Sequence, residues 1–435
     1  MLLEGPRLRI KRSLRTAALV PLLMAGCVPG AGSGGSGGSS GSGGSSASGG
    51  SSASGGSSAS GGQGTPGSGG APASSGGASV ATAGTGGGLA NGGAPATGGF
   101  DGGAGQGTGG RGGVAGRGAG GAIASGGAGG ASACPGGKYD DASPPQVLTL
   151  SGSLGAHDPA AYVVGNTIYL AATGLVGKTS TNLTTWSNAA TPLALPQWAR
   201  TATGATNLWA PDISFFGGMY HLYYAASTFG SNKSCIGHAT RAALDSGAWA
   251  DMGMVLCSNM GTTDNWNAID ANIALDDDGT PWMAFGSFWG GLKLVKLTSA
   301  GVRADTMLYS IANGANSRGS LEGAWIFKAC GYYYLFSSWG ACCDGAYDYN
   351  MRVGRATTIT GPYVDKEGTS LMMGGGTLLV QGNASWGAPG HNAVIVYNNK
   401  VYNLYHALQG GRGTATLRIA EIVWDAAGWP VTAGP

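Results

Sequence analysis

The sequence predicts an all-β fold, a five-bladed β-propeller, carried behind a long flexible tether. Three observations point there. One unit recurs five times in residues 135–435. No long stretch between the copies shows the apolar period of a helix. The composition also breaks sharply near Pro135.

Each copy opens on an ionisable residue, followed by a short apolar strand, a turn and a second strand rich in Tyr and Trp. The first runs Asp158-Pro159-Ala160-Ala161-Tyr162, turns at Gly165-Asn166 and continues Ile168-Tyr169-Leu170. The second starts at Asp212 and turns at Gly217-Gly218; the third starts at Asp270 and turns at Asp276 to Gly279 before Trp282. The fourth starts at Glu322 and runs on as Tyr332 to Phe336, and the fifth starts at His391 and turns at Asn398-Asn399. The spacing, roughly fifty to seventy residues, suits propeller blades of four strands. A β-sandwich also gives many short strands, but not a recurrent unit of this length.

Upstream, residues 28–134 are nearly all Gly, Ser, Ala and Thr. Such a segment has too little apolar surface to offset its ordering entropy and reads as a linker. Residues 1–27 read as an export signal. Arg7, Arg9, Lys11, Arg12 and Arg15 precede the apolar run Ala17 to Ala25, which is too short to span a bilayer. The run ends in Leu23-Met24-Ala25-Gly26-Cys27, similar to a bacterial lipobox, so Cys27 is expected to carry lipid at a cell surface. Met24 stands where Leu is more usual, and cleavage by an ordinary signal peptidase into the medium is the alternative.

The net charge is +2, with much of the basic excess in the first fifteen residues. No basic stripe marks the folded part, so a nucleic-acid partner is not expected. Six cysteines follow Cys27, and oxidising surroundings favour pairing. Cys235 and Cys257 flank a strand-turn-strand and are expected to pair. Adjacent Cys342 and Cys343 permit a vicinal bridge or two separate partners.

The repeat also locates a site. Inner strands of a propeller line its channel and start at one end, so Asp158, Asp212, Asp270, Glu322 and His391 are expected to converge on one mouth. Carboxylates so gathered shift one another's pKa values, which acid-base catalysis needs. The bland reading is a backbone-capping role, and Asp212 is its first candidate. Two carboxyls flanking a bond, one protonated, suit glycoside hydrolysis. Trp209, Phe288 and Trp289 are candidate stacking surfaces for sugar, as Trp339 and Trp386 are more weakly. Asn207, Asp212, Asn267, Asn272 and Ser287 are candidate partners for its hydroxyls.

With these runs in view, the chain resembles glycoside hydrolase family 43, and within it the endo-1,5-α-L-arabinanases. The matching runs are His157-Asp158-Pro159, Asn207 to Asp212, Asn267 to Asn272, Gly286-Ser287-Phe288-Trp289, Ser320 to Ala324 and Gly390-His391-Asn392. The resemblance implies inversion, with Asp158 as general base, Glu322 as general acid and Asp270 raising and orienting the acid. It further implies that His391 holds an ion, often calcium, largely through water, with no organic cofactor. Arabinan or the side chains of pectin would be the substrate, and a monomer is expected. Ala324 departs from the Pro that many relatives carry after the acid motif.

Two rivals remain at this level: an exo-acting α-L-arabinofuranosidase or β-xylosidase of the same family, and a non-catalytic carbohydrate-binding propeller. The latter has no reason to keep Asp158, Asp270 and Glu322 together. For the lipid anchor, Cys27→Ser should move the protein from the membrane fraction into the medium. Native protein found wholly in the medium without acyl groups would contradict lipidation.

Overall fold

The computed structural model describes residues 134–314, 320–342 and 348–435. The export segment with Cys27, nearly all of the linker, and Cys343 lie outside the described residues. Among the described residues, twenty-one strands form five sheets that follow one another in chain order. Blade I holds β1 (Ser151–Gly152), β2 (Ala160–Val164), β3 (Thr167–Ala172), β4 (Val176–Ser180) and β5 (Thr185–Ala189). A short helix, α1 (Gln197–Thr203), leads to blade II: β6 (Leu208–Phe216), β7 (Met219–Ala226), β8 (Ser234–Arg241) and β9 (Ala250–Ser258). Blade III comprises β10 (Asn272–Leu275), β11 (Pro281–Phe285), β12 (Leu292–Lys296) and β13 (Tyr309–Ala312). Blade IV comprises β14 (Leu321–Ala329), β15 (Tyr332–Trp339), β16 (Asn350–Ala356) and β17 (Thr377–Gln381). Blade V comprises β18 (Trp386–Tyr397), β19 (Lys400–Gln409), β20 (Ala415–Trp424) and β21 (Pro430–Thr432).

Blades II to V are antiparallel meanders; in blade I, β1 adds in parallel beside β5 at the outer edge. The first strands β2, β6, β10, β14 and β18 are neighbours around a ring that closes between β18 and β2. The five-bladed propeller expected from the repeat is therefore the observed architecture.

Apolar cores lie between blades rather than within them. Side chains alternate across a strand, so each sheet feeds two neighbouring cores. On β15, Tyr333 and Leu335 pack toward blade III with Trp282 and Leu294. Tyr334 and Phe336 of the same strand pack toward blade V with Val394 and Trp424. On β11, Trp282 and Ala284 face blade IV while Met283 and Phe285 face blade II. Burial on both faces explains why these strands read as unbroken apolar runs.

The ring closes without a shared blade. Instead, residues 134–156 run along the last blade. Leu148 donates its amide to the Ile419 carbonyl at 2.8 Å, and the Trp424 indole donates to the Pro135 carbonyl at 2.6 Å. A disulfide joins Cys134 to Cys330, at the β14–β15 turn, across 196 residues. Loop-entropy estimates for a ring of that size give about 5 kcal/mol of stabilisation. The expected pair Cys235–Cys257 is present, directly opposite in the β8–β9 register. Cys342 is disulfide-bonded as well.

Candidate active site

At the entrance to every inner strand the backbone turns through the left-handed region. Asp158 (φ 52°), Ala210 (41°), Asp270 (61°), Gly323 (62°) and His391 (48°) each stand two residues before the pair at which regular pairing of the inner hairpin begins or resumes after a bulge. Those pairs are Ala160 with Ala171, Asp212 with Tyr223, Asn272 with Ala284, Trp325 with Phe336 and Ala393 with Leu404. Outside glycine this conformation costs on the order of 1–2 kcal/mol per residue. In four of the five, a neighbouring blade holds the freed amide. Asp158 donates to His406 Nδ1 at 3.2 Å, Ala210 to Thr173 Oγ1 at 3.0 Å, Gly323 to Asp270 Oδ2 at 3.1 Å and His391 to Ser338 Oγ at 2.7 Å.

Three of the five expected mouth residues, Asp158, Asp270 and His391, occupy this position. The expectation for blade II is corrected: Ala210 stands there, and Asp212 lies two residues further along β6. Glu322 stands one residue before its blade's kink, yet it faces the same group of side chains. At Gly323 an added Cβ would approach His391 and Ser338 to 3.3 Å, so the tight turn beside Glu322 needs glycine.

The three carboxyls sit in opposite environments. Thr173 Oγ1 donates to Asp158 Oδ2 at 2.5 Å. His157 Nδ1 lies 3.2 Å from Oδ2, and His391 Nδ1 lies 3.2 Å from Oδ1. Burial alone would push Asp158 up, but His157, His391, His406 and Thr173 together hold it below the usual carboxylate range. Glu322 accepts from Ser287 Oγ at 2.7 Å on Oε2 and from Tyr349 OH at 3.0 Å on Oε1. Burial and the nearby Asp158 charge push it upward all the same. Asp270 is raised well above its ordinary value by burial and by the charges of Glu322 and Asp158. Coulomb repulsion between the two raised carboxyls is reciprocal, so they titrate as a pair. One carboxyl is thereby held low beside a pair pushed high, which is the division of labour between a base and an acid.

Burial lowers His391 and lowers His406 further. In the tautomer that donates Nδ1–H to Asp158, His391 keeps a lone pair on Nε2, the form of imidazole that meets an ion or its water shell. A second set, His157, Asp158 and His406, brings its ligating atoms within 4.8 Å of one another. Within that set His406 Nδ1 accepts the Asp158 amide.

Residues 152–430 match the family model described as "Glycosyl hydrolases family 43". This chain is a family 43 glycosyl hydrolase. It is 40% identical over 286 residues to the "Extracellular endo-alpha-(1->5)-L-arabinanase 1" of Bacillus subtilis (strain 168), covering 63% of this chain and 86% of that one. It is 38% identical over 296 residues to the "Extracellular exo-alpha-(1->5)-L-arabinofuranosidase ArbA" of Cellvibrio japonicus (strain Ueda107), covering 63% and 85%. Among solved structures, the "GH43 Endo-Arabinanase from Bacillus licheniformis" matches with TM-score 0.61 and 41% identity over 65% of this chain and 99% of that one. An α-L-arabinanase of Cellvibrio cellulosa complexed with arabinohexaose matches with TM-score 0.61 and 37% identity, over 65% and 96%.

The remaining candidates of this family 43 hydrolase divide. Trp289 is 44% exposed on a turn where both it (φ 36°) and Phe288 (φ 50°) are left-handed, which suits a stacking surface. Trp209, Phe288 and Asn207 are half-buried. Asn267 is buried with Oδ1 unpartnered, and Ser287 is buried against Glu322. Trp339 is buried core, bonded to Ser337, and Trp386 carries the Arg418 guanidinium over its ring at 4.2 Å.

Asp212 and Asn272 are corrected as substrate contacts, since both are buried and bonded to protein. Asn272 Nδ2 donates to Asp212 Oδ1 at 3.0 Å, and Asn272 Oδ1 accepts the Ile326 amide at 2.8 Å. The chain of bonds ties blades II, III and IV. Thr173, Tyr349 and His406 were missed because each reaches the site from a neighbouring strand or blade with no local motif.

Burial pushes Asp212 up to about 7, from an ordinary 3.8. As pH rises from about 4 to about 7, the unfolded chain gives up this proton while the folded chain keeps it. Folding therefore loses up to about 4 kcal/mol from this group across that window. Asp212→Asn keeps the acceptor for Asn272 and removes the titration. Its Tm relative to the native protein should rise steadily from pH 4 to pH 8. A difference that stays constant over that range would show that the carboxyl does not titrate as described.

Proposed function

We propose that this chain is an endo-acting arabinan hydrolase that cleaves α-1,5-L-arabinofuranosidic linkages with inversion. The observation that carries the reading is the convergence of three carboxyls in opposed environments at one channel mouth: Asp158 is held low beside His157, His391, His406 and Thr173, while burial raises Glu322 and Asp270. Arabinan as substrate is supported by relatives named for arabinan cleavage and by the arabinohexaose complex of a similar fold. The names of the extracellular relatives also support export.

In this reading Asp158 takes a proton from water as it attacks the anomeric carbon. Glu322 gives its proton to the departing oxygen. Asp270, hydrogen-bonded to the Gly323 amide next to Glu322, keeps the acid protonated by mutual repulsion and aligns it through that backbone bond. His391 would hold an ion through Nε2 and water, with Asp158 Oδ1 at 3.2 Å and Asp270 Oδ2 at 4.0 Å from its Nδ1. Such an ion, when bound, supplies positive charge near both carboxylates. Calcium prefers oxygen, so one imidazole implies a site filled mostly by water. Exo action is the second reading, favoured by the similarity to the Cellvibrio exo-acting relative. Chain lengths of the first products from debranched arabinan separate the two.

Asp158→Asn should slow hydrolysis of every substrate alike, since each needs the attacking water. Glu322→Gln should lose about 10²–10⁴-fold on arabinan. It should lose far less on an arabino-oligosaccharide with a nitrophenol leaving group, which departs without a proton. Equal losses on both would remove Glu322 from the acid role, and first-formed product of retained configuration would remove inversion. For the ion, elemental analysis of purified native protein should show metal that His391→Ala lacks. Equal metal content in the two would return His391 to a purely protein-bonded role.

A further inference from the structure

Tyr349 immediately precedes β16, and the mechanism above does not use it. Its side chain is 1% exposed, and its hydroxyl donates to Glu322 Oε1 at 3.0 Å. The ring is fixed from two sides. It stacks with the His406 imidazole, centroids 6.0 Å apart and planes 15° from parallel. It also lies so close to Gly390 that a Cβ there would come within 2.0 Å of Cε1. His406 in turn accepts the amide of Asp158. One buried ring thus touches the group assigned as acid and braces the imidazole that holds the backbone of the base.

We propose that Tyr349 is a positioning residue for the hydrolysis, gripping Glu322 by Oε1 while Ser287 grips Oε2, and that Gly390 is the gap in β18 that admits its ring. The assignment rests on the reading of Glu322 as the acid. A carboxyl held at both oxygens keeps one orientation while its proton points to the leaving oxygen. As that proton departs, Glu322 becomes a carboxylate, and both donated bonds become charge-assisted. The grip therefore strengthens along the reaction, which is the condition for lowering a barrier rather than merely binding. The other titratable groups that act on Glu322 are Asp270 at the entrance to β10, and Asp158 and His157 before β2. All remain when the Tyr349 hydroxyl is removed.

The test is Tyr349→Phe in the full chain, which deletes one oxygen from a ring that stays packed. On debranched arabinan kcat should fall roughly ten- to a hundredfold, with KM little changed. The alkaline limb of kcat/KM should move up by about one pH unit, because the lost bond favoured the carboxylate. Activity on the nitrophenol-bearing oligosaccharide should fall far less. Gly390→Ala, which displaces the ring, should reproduce the pattern. An unmoved alkaline limb with equal losses on both substrates would overturn the assignment, leaving Tyr349 as packing. Glu322→Gln on the same substrates separates the two ideas. If it too loses equally on both, the acid reading fails and this assignment with it. If it behaves as an acid variant and Tyr349→Phe does not, only the role of Tyr349 falls.

Discussion

Everything at the channel mouth depends on five left-handed turns, four of whose amides are bonded across blade boundaries. In a plain hairpin the first strand would begin with its amide paired to its own partner strand. Here the kink withdraws that amide and aims it at a side chain of the neighbouring blade. Asp158 reaches His406 of blade V, Ala210 reaches Thr173 of blade I, Gly323 reaches Asp270 of blade III, and His391 reaches Ser338 of blade IV. Each bond compensates part of the conformational cost of its kink. The same bonds lock the blades at the radius where the carboxyls meet. Several of the acceptors are also site residues: Asp270 is a carboxyl of the site, and Thr173 is the hydroxyl that restrains Asp158. Support of the backbone and tuning of the chemistry are therefore the same contacts.

The electrostatic outcome follows from who surrounds whom. All three carboxyls are desolvated, which by itself would protonate all of them. Asp158 escapes because three imidazoles and a hydroxyl converge on it. Asp270 and Glu322 are pushed up by burial and by the Asp158 charge, and the bonds donated by the Gly323 amide, Ser287 and Tyr349 do not reverse the shift. A small geometric difference thus separates base from acid: Asp158 stands at the seam of blades I and V, where His157, His391 and His406 come together.

Rigidity at the mouth comes from the cores below it. Each blade contributes both faces to the interior, so no sheet has an independent core that would let it open alone. At the closing seam between blades V and I, Leu148, Leu150 and Leu154 of the 134–156 segment pack into the shared core. The start of that segment is tied to blade IV by the Cys134–Cys330 bridge and to blade V by pairing with β20. This covers the seam that also holds the environment of Asp158.

The five-fold architecture was legible in the amino-acid order because two-sided burial forces a recurring signature: a polar opening, an apolar strand, a turn and an aromatic strand. Asp158, Asp270, Glu322 and His391 were legible as a site because ionisable residues at the head of an otherwise apolar unit need a reason. The pairing of Cys235 with Cys257 was legible because a hairpin sets its own register. The exact residue at each mouth was not. Asp212 looked equivalent to Asp270 along the chain, but a bulge in β6 places Ala210 at the kink and buries the carboxylate two residues deeper. Thr173, Tyr349 and His406 carry no motif, since their partners lie on other blades. Tertiary structure decided these, for a physical reason. Sequence periodicity records which face of a strand is buried, whereas the contacts that tune Asp158 and Glu322 form between strands that only ring closure brings together.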